Sequence, residues 1–165
     1  MQQQKNMLFD FTKTTNTNSW YVVNDGVMGG LSQSTMQLNN NGHGVFSGYV
    51  TTENNGGFAS IRHAFSTKDV TDYDYIVLRV KGDNKTYQCR LKADEYQRFT
   101  YVQEFKTSGD WQSIKLPLKD FYPYFRGYRL NRPNFNDNKL EQIGILIGNK
   151  TNERFSLEIA SIHLE

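Results

Sequence analysis

Short apolar stretches that alternate every second residue, each closed by asparagine or glycine, constrain this chain to an all-β fold. Strand-like runs cover residues 8–11, 20–23, 32–38, 44–52, 58–65, 75–81, 86–93, 98–105, 112–116, 142–147 and 155–164. Successive side chains of a strand point to opposite faces, so alternation over runs of this length reads as strand. No stretch of helical length carries an apolar stripe; only residues 118–122, after Pro117, read as a short helical turn. Asparagine tolerates left-handed backbone, so 39–42, 54–56 and 134–138 read as connections. In the last run the parity of Phe155, Leu157 and Ile159 slips before Ile162 and Leu164, which predicts a bulge near Ala160 and Ser161.

Parity also sorts residues by face. Phe46 and Val50, then Ile76, Leu78 and Val80, then Tyr87, Cys89 and Leu91, then Ile143, Ile145 and Ile147 are the core candidates. In 58–65 the apolar set is Ala59, Ile61 and Phe65, which turns Phe58, Ser60 and Arg62 outward. The same parity exposes Arg79 and, on the next run, Gln88, Arg90 and Lys92. If these runs share one sheet, its outer face is rich in arginine and bordered by Phe58 and Tyr75, and this is the first candidate site. The second is residues 121–138, FYPYFRGYRLNRPNFNDN, read as an ordered binding loop. Its Tyr122, Tyr124, Phe125, Tyr128 and Phe135 interleave with Arg126, Arg129 and Arg132, the residue types that interface centres favour.

The 165 residues fit one domain over 8–165 after a short tail at 1–7. A formal net charge of +2 gives no field for a nucleic-acid partner. No apolar run is long enough for a signal peptide or a membrane span, so a cytoplasmic protein without membrane insertion is expected. The aromatic share of 14% fits a thin sandwich core filled by rings. Catalytic and metal chemistry find little to work with. His43, His63 and His163 lack paired spacing, Cys89 falls on a core parity and reads as an inert thiol, and no nucleophile, phosphate-loop or dinucleotide motif is present. Asp10 and Glu158, in the first and last strands, are oxygen donors for a structural calcium, but a solvated carboxylate is the preferred reading of each, and no metal or cofactor is expected.

Two glycine-bearing segments remain, NDGVMGGLSQS at 24–34 and ENNGGFASIR at 53–62. Glycine pairs sit where backbone must turn sharply or be approached closely. Each segment is either a tight structural crossover or a recognition edge that presents main-chain donors. Arg62 has two open roles: capture of a partner's carboxylate, or an internal tie to Asp25.

With FSGYVTTENNGGFASIR at 46–62, LPLKDF at 116–121 and FSLEIASI at 155–162, these segments make the sequence similar to the complex I intermediate-associated protein 30 family, assembly factors for respiratory NADH:ubiquinone oxidoreductase. The resemblance points to a short bacterial member and implies a jelly-roll β-sandwich like galactose-binding domains. It also implies a non-catalytic, chaperone-like role that docks a protein client, such as a respiratory-complex subunit or assembly intermediate. The residues expected to bind are Asp25, Met28, Gly29, Gly30, Ser32, Asn55, Gly56, Gly57, Phe58, Ser60, Arg62, Arg90, Tyr124, Arg126 and Tyr128. A carbohydrate-binding module is the alternative, and an enzyme or cofactor binder ranks third.

Overall fold

Alternation becomes two antiparallel sheets packed face to face. The computed structural model describes residues 6–165, the side chains of Val27, Met28 and Asn55 excepted. The strands run β1 (Met7–Asp10), β2 (Trp20–Asn24), β3 (Gln33–Leu38), β4 (Gly44–Val50), β5 (Ala59–Asp69), β6 (Tyr75–Lys81) and β7 (Thr86–Lys92). They continue with β8 (Thr100–Lys106), β9 (Trp111–Pro117), β10 (Tyr122–Phe125), β11 (Tyr128–Arg129), β12 (Lys139–Ile147) and β13 (Glu153–Leu164). A six-stranded sheet has the order β3-β4-β13-β6-β9, with β1 also on β13; a seven-stranded sheet has the order β11-β10-β8-β7-β12-β5-β2.

The inner faces carry the alternating residues. Phe46, Ile76, Leu78, Leu91, Ile143, Ile145 and Ile147 are fully buried, and each such side chain contributes about 1.5–3 kcal/mol of transfer free energy. Cys89 lies in the same core, where burial pushes its thiol up and keeps it protonated. At one end Phe9, Phe11, Trp20 and His63 form an aromatic cluster, with the His63 ring stacked 5.1 Å from Trp20. Burial holds the His63 pKa below its ordinary value, against the pull of the Ser19 carbonyl, 3.0 Å from Nδ1.

The bulge in the last strand falls where parity slips: the register of β13 against β6 shifts between Ile159 and Ser161. On its other side β13 pairs with β4 up to Ile159 and with β1 from Ser161 onward. Pairing reaches further toward the N-terminus than residue 8, because Met7 opens β1 and the Asn6 side-chain amide donates to the Leu164 carbonyl at 2.8 Å.

Two expectations are corrected. Tyr75 and Arg79 lie on β6, in the six-stranded sheet, whereas Arg62, Gln88, Arg90 and Lys92 lie on β5 and β7 of the other. Alternation assigns a face and says nothing of which sheet a strand joins. The region 121–138 is also more regular than a loop. Residues Arg126 and Gly127 turn a hairpin between β10 and β11, with positive φ of 49° and 87°, the sign that a primed two-residue turn demands. Beyond it Phe135 folds back into the core, edge-on to Tyr101 at 5.1 Å.

Candidate functional site

The two glycine segments meet at one carboxylate. Asp25 is fully buried. Its Oδ1 accepts the Ser32 amide at 3.0 Å, and its Oδ2 accepts the Ser32 hydroxyl together with the amides of Gly57 at 2.6 Å and Phe58 at 3.2 Å. The Asp25 amide returns a bond to the Phe58 carbonyl at 3.3 Å. Burial pushes this carboxyl up, but the Ser32 hydroxyl and the three amides outweigh it and leave its pKa below the ordinary value. The glycines make room for the carboxylate: a Cβ at Gly30 would lie 2.4 Å from Asp25 Cγ, and one at Gly56 would lie 2.5 Å from Oδ2.

Asp25 therefore ties the segments from inside, and its oxygens do not face solvent. The proposed tie from Arg62 to Asp25 is replaced by Ser32, Gly57 and Phe58; Arg62 makes no ion pair among the described residues and lines a groove instead. Ser60 is also buried, its hydroxyl bonded to the Val23 carbonyl, which joins β5 to β2. Gly29 is exposed at the end of the first turn. The side chains of Met28 and Asn55 lie outside the described residues.

The groove, about 860 Å³, runs over the outer face of the seven-stranded sheet. Its floor follows from register. Arg62 on β5 is opposite Gly144 on β12, and Gly144 is opposite Arg90 on β7; the row continues to Tyr21 on β2 and, through Val102 on β8, to Tyr122 on β10, which lie outside the lining. Opposed residues share a face, so two arginines flank a bare glycine at mid-sheet. Lys92, Arg98 and Arg126 join them, and no carboxylate lines the groove among the described residues.

Three of these cations, Arg90, Arg98 and Arg126, are held by rings or an amide. Arg90 donates from Nε to Gln88 Oε1 at 3.0 Å and lies over Tyr124 at 5.6 Å; Arg98 and Arg126 both lie over Phe125, and Arg129 over Tyr122. Arg90 is half-buried, and burial, followed by the neighbouring charge of Arg62, pushes its pKa down to about 10. The same causes, burial first and then Arg62 and Arg90, lower Lys92. Phe58, Tyr124 and Arg126 line this groove as well, whereas Tyr128 is three-quarters exposed on β11, outside its lining. Sequence reasoning missed Gly144 and Gln142 as part of the floor. The available signal was a lone glycine inside an isoleucine-alternating strand, which marks close approach.

Among the described residues no cluster of His, Cys, Asp and Glu is placed to hold a metal ion, and no helix is long and apolar enough to cross a membrane. The family model for complex I intermediate-associated protein 30 matches residues 9–159. The chain belongs to that family. A mitochondrial relative of this name from Drosophila melanogaster is 27% identical over 98% of the chain, and one from Mus musculus is 23% identical over 95%. The chain spans 63% and 55% of the length of these two family members.

Solved structures share the fold. A family 11 carbohydrate-binding module from Clostridium thermocellum, in complex with a β-1,3-1,4-mixed-linked tetrasaccharide, superposes with a TM-score of 0.68 at 16% identity, covering 96% of this chain and 94% of the module. The agarase AgWH50C gives 0.64 at 11% identity, over 97% of this chain and 26% of the agarase. The family member described here is thus a β-sandwich of the galactose-binding-like kind.

Proposed function

We propose that this chain is a non-catalytic binding module that docks a protein client during assembly of NADH:ubiquinone oxidoreductase, as a soluble factor that performs no chemistry. Membership of the assembly-factor family supports the process. The groove supports the mode: it collects five cations and several rings, with no lining carboxylate among the described residues. On this reading Phe58 and Arg62, from the ENNGGFASIR segment, belong to the docking face, and the NDGVMGG segment braces it through Asp25.

The test is complementation in cells of the source organism that lack the chain, with complex I and its intermediates followed on native gels. Wild-type protein restores the complete enzyme, and the Arg62→Glu/Arg90→Glu double variant leaves intermediates. Full complex I in cells without the chain would overturn the proposal. The rival reading, a carbohydrate-binding module, would take its place if a neutral glucan tetrasaccharide bound tightly and Tyr124→Ala abolished that binding.

A further inference from the structure

An arginine taken out of water is ordinarily paired, and Arg90, half-buried, has among the described residues only the Gln88 amide oxygen and the Tyr124 ring. In this groove Arg90, Arg62 and Lys92 find one another. Glu104, paired in register with Gln88, shares their face yet forms no ion pair with them among the described residues. Among the described residues, therefore, no counter-charge meets Arg62, Arg90 and Lys92 in the groove.

We infer that the groove receives an extended acidic segment of the client, with carboxylates on one face of that segment meeting Arg62 and Arg90 on either side of Gly144. This rests on the docking reading above and adds the chemistry of the docked segment. The geometry suits it. The lining crosses five strands, β5, β12, β7, β8 and β10, roughly 19 Å at strand spacing, which admits about five extended residues. Carboxylates two residues apart on an extended chain lie about 7 Å from each other, within reach of two arginine arms rooted roughly 10 Å apart. Gly144 offers no side chain between them: a Cβ there would lie 2.9 Å from the Ile61 carbonyl oxygen and 3.5 Å from Arg62 Cγ.

Two other ligand classes fit less well. Sugar recognition needs free ring faces, and here Phe125 carries Arg98 and Arg126, Tyr124 carries Arg90, and Tyr122 carries Arg129. A nucleic acid needs a broad positive field, and the whole chain carries only +2.

The direct experiment is fluorescence anisotropy at low ionic strength, using the full chain and a labelled peptide in which glutamate alternates with threonine. The glutamine counterpart, pyrophosphate and a mixed-linked glucan tetrasaccharide serve as competitors. The glutamate peptide binds, weakens as salt is added, and outcompetes its glutamine counterpart by about tenfold or more. Arg62→Gln weakens it by about tenfold. Arg90→Lys falls between wild type and Arg90→Gln, because lysine keeps the charge and loses the fork. Thermal melts accompany each variant, and the exchange of peptides on wild-type protein is independent of folding.

Absence of binding, equal affinity for the glutamine peptide, or displacement by pyrophosphate or the tetrasaccharide at lower concentration than by the unlabelled glutamate peptide would overturn the inference. If the peptide fails while the double variant still blocks assembly in cells, the docking face stands and the acidic chemistry falls. If assembly proceeds normally without the chain, the docking reading itself falls.

Discussion

The Asp25 corner and the Arg62–Arg90 groove treat a desolvated charge in opposite ways. At the corner, one carboxylate is surrounded by donors that the chain itself supplies, three amides and a hydroxyl. In the groove Arg62, Arg90 and Lys92 share a face, Arg90 is held by the Tyr124 ring and Gln88, and no carboxylate joins the lining among the described residues. Charge satisfied at home stabilises the fold. Charge left facing its own kind is tolerated at some cost in stability, and it is useful when another molecule completes it. The contrast separates two glycine-rich neighbours that look alike in sequence: Gly30 and Gly56 make space for an internal carboxylate, and the proposed docking face begins at Phe58 and Arg62.

The largest effect is expected from Asp25→Ala, which strands the Ser32, Gly57 and Phe58 amides in a buried corner; a loss of about 3–5 kcal/mol should be seen in chemical denaturation. Asp25→Asn comes close to the same loss, since an amide nitrogen must face donors on one of its two sides. Next come Gly30→Ala and Gly56→Ala, each pressing a methyl group into the carboxylate, with about 1–3 kcal/mol lost in the same assay. A stability change below about 0.5 kcal/mol for any of these would mean the corner is not the tie described.

Acidification sharpens the contrast. Asp25 has a folded pKa below its ordinary 3.8. Its stabilising contribution is therefore complete above the unfolded value and is lost as pH falls through the folded one. His63 is held below its ordinary 6.5 in the folded state, so it too favours the fold above that pH and opposes it below, where the unfolded chain takes up the proton first. Denaturation midpoints should decline gently below about pH 6.5 and steeply below about pH 4, and Asp25→Asn should remove Asp25's share of the steep part while leaving the share of Glu158, which, against the upward push of burial, is also held below its ordinary value by Asn39 and His43. The smallest stability effect belongs to the groove. Arg62→Gln relieves like-charge repulsion and should leave stability within about 0.5 kcal/mol of wild type or raise it slightly, while docking suffers.

Much of this was legible in the chain. Parity placed Ala59 and Ile61 inward, set Arg62, Gln88, Arg90 and Lys92 on outward faces, and located the bulge beside Ser161, because these depend on neighbours within one strand. Partnership across the fold was not legible. The partners of Asp25 are a serine seven residues away and amides more than thirty residues away, and nothing in local spacing favours them over Arg62. Nor does alternation reveal that Arg79 belongs to the opposite sheet, or that Gly144 lies between Arg62 and Arg90, since both facts are set by strand order. Residues 121–138 read as a loop because the strands in them are only four and two residues long.

On the proposed reading, a partner meets the groove and leaves the glycine corner alone. Amide chemical-shift mapping by NMR during titration with the glutamate–threonine peptide tests it most directly. Shifts are expected at Arg62, Gln88, Arg90 and Gly144, with Gly30 and Ser32 unmoved. Shifts concentrated at the corner or on the six-stranded sheet, with those groove amides silent, would contradict it.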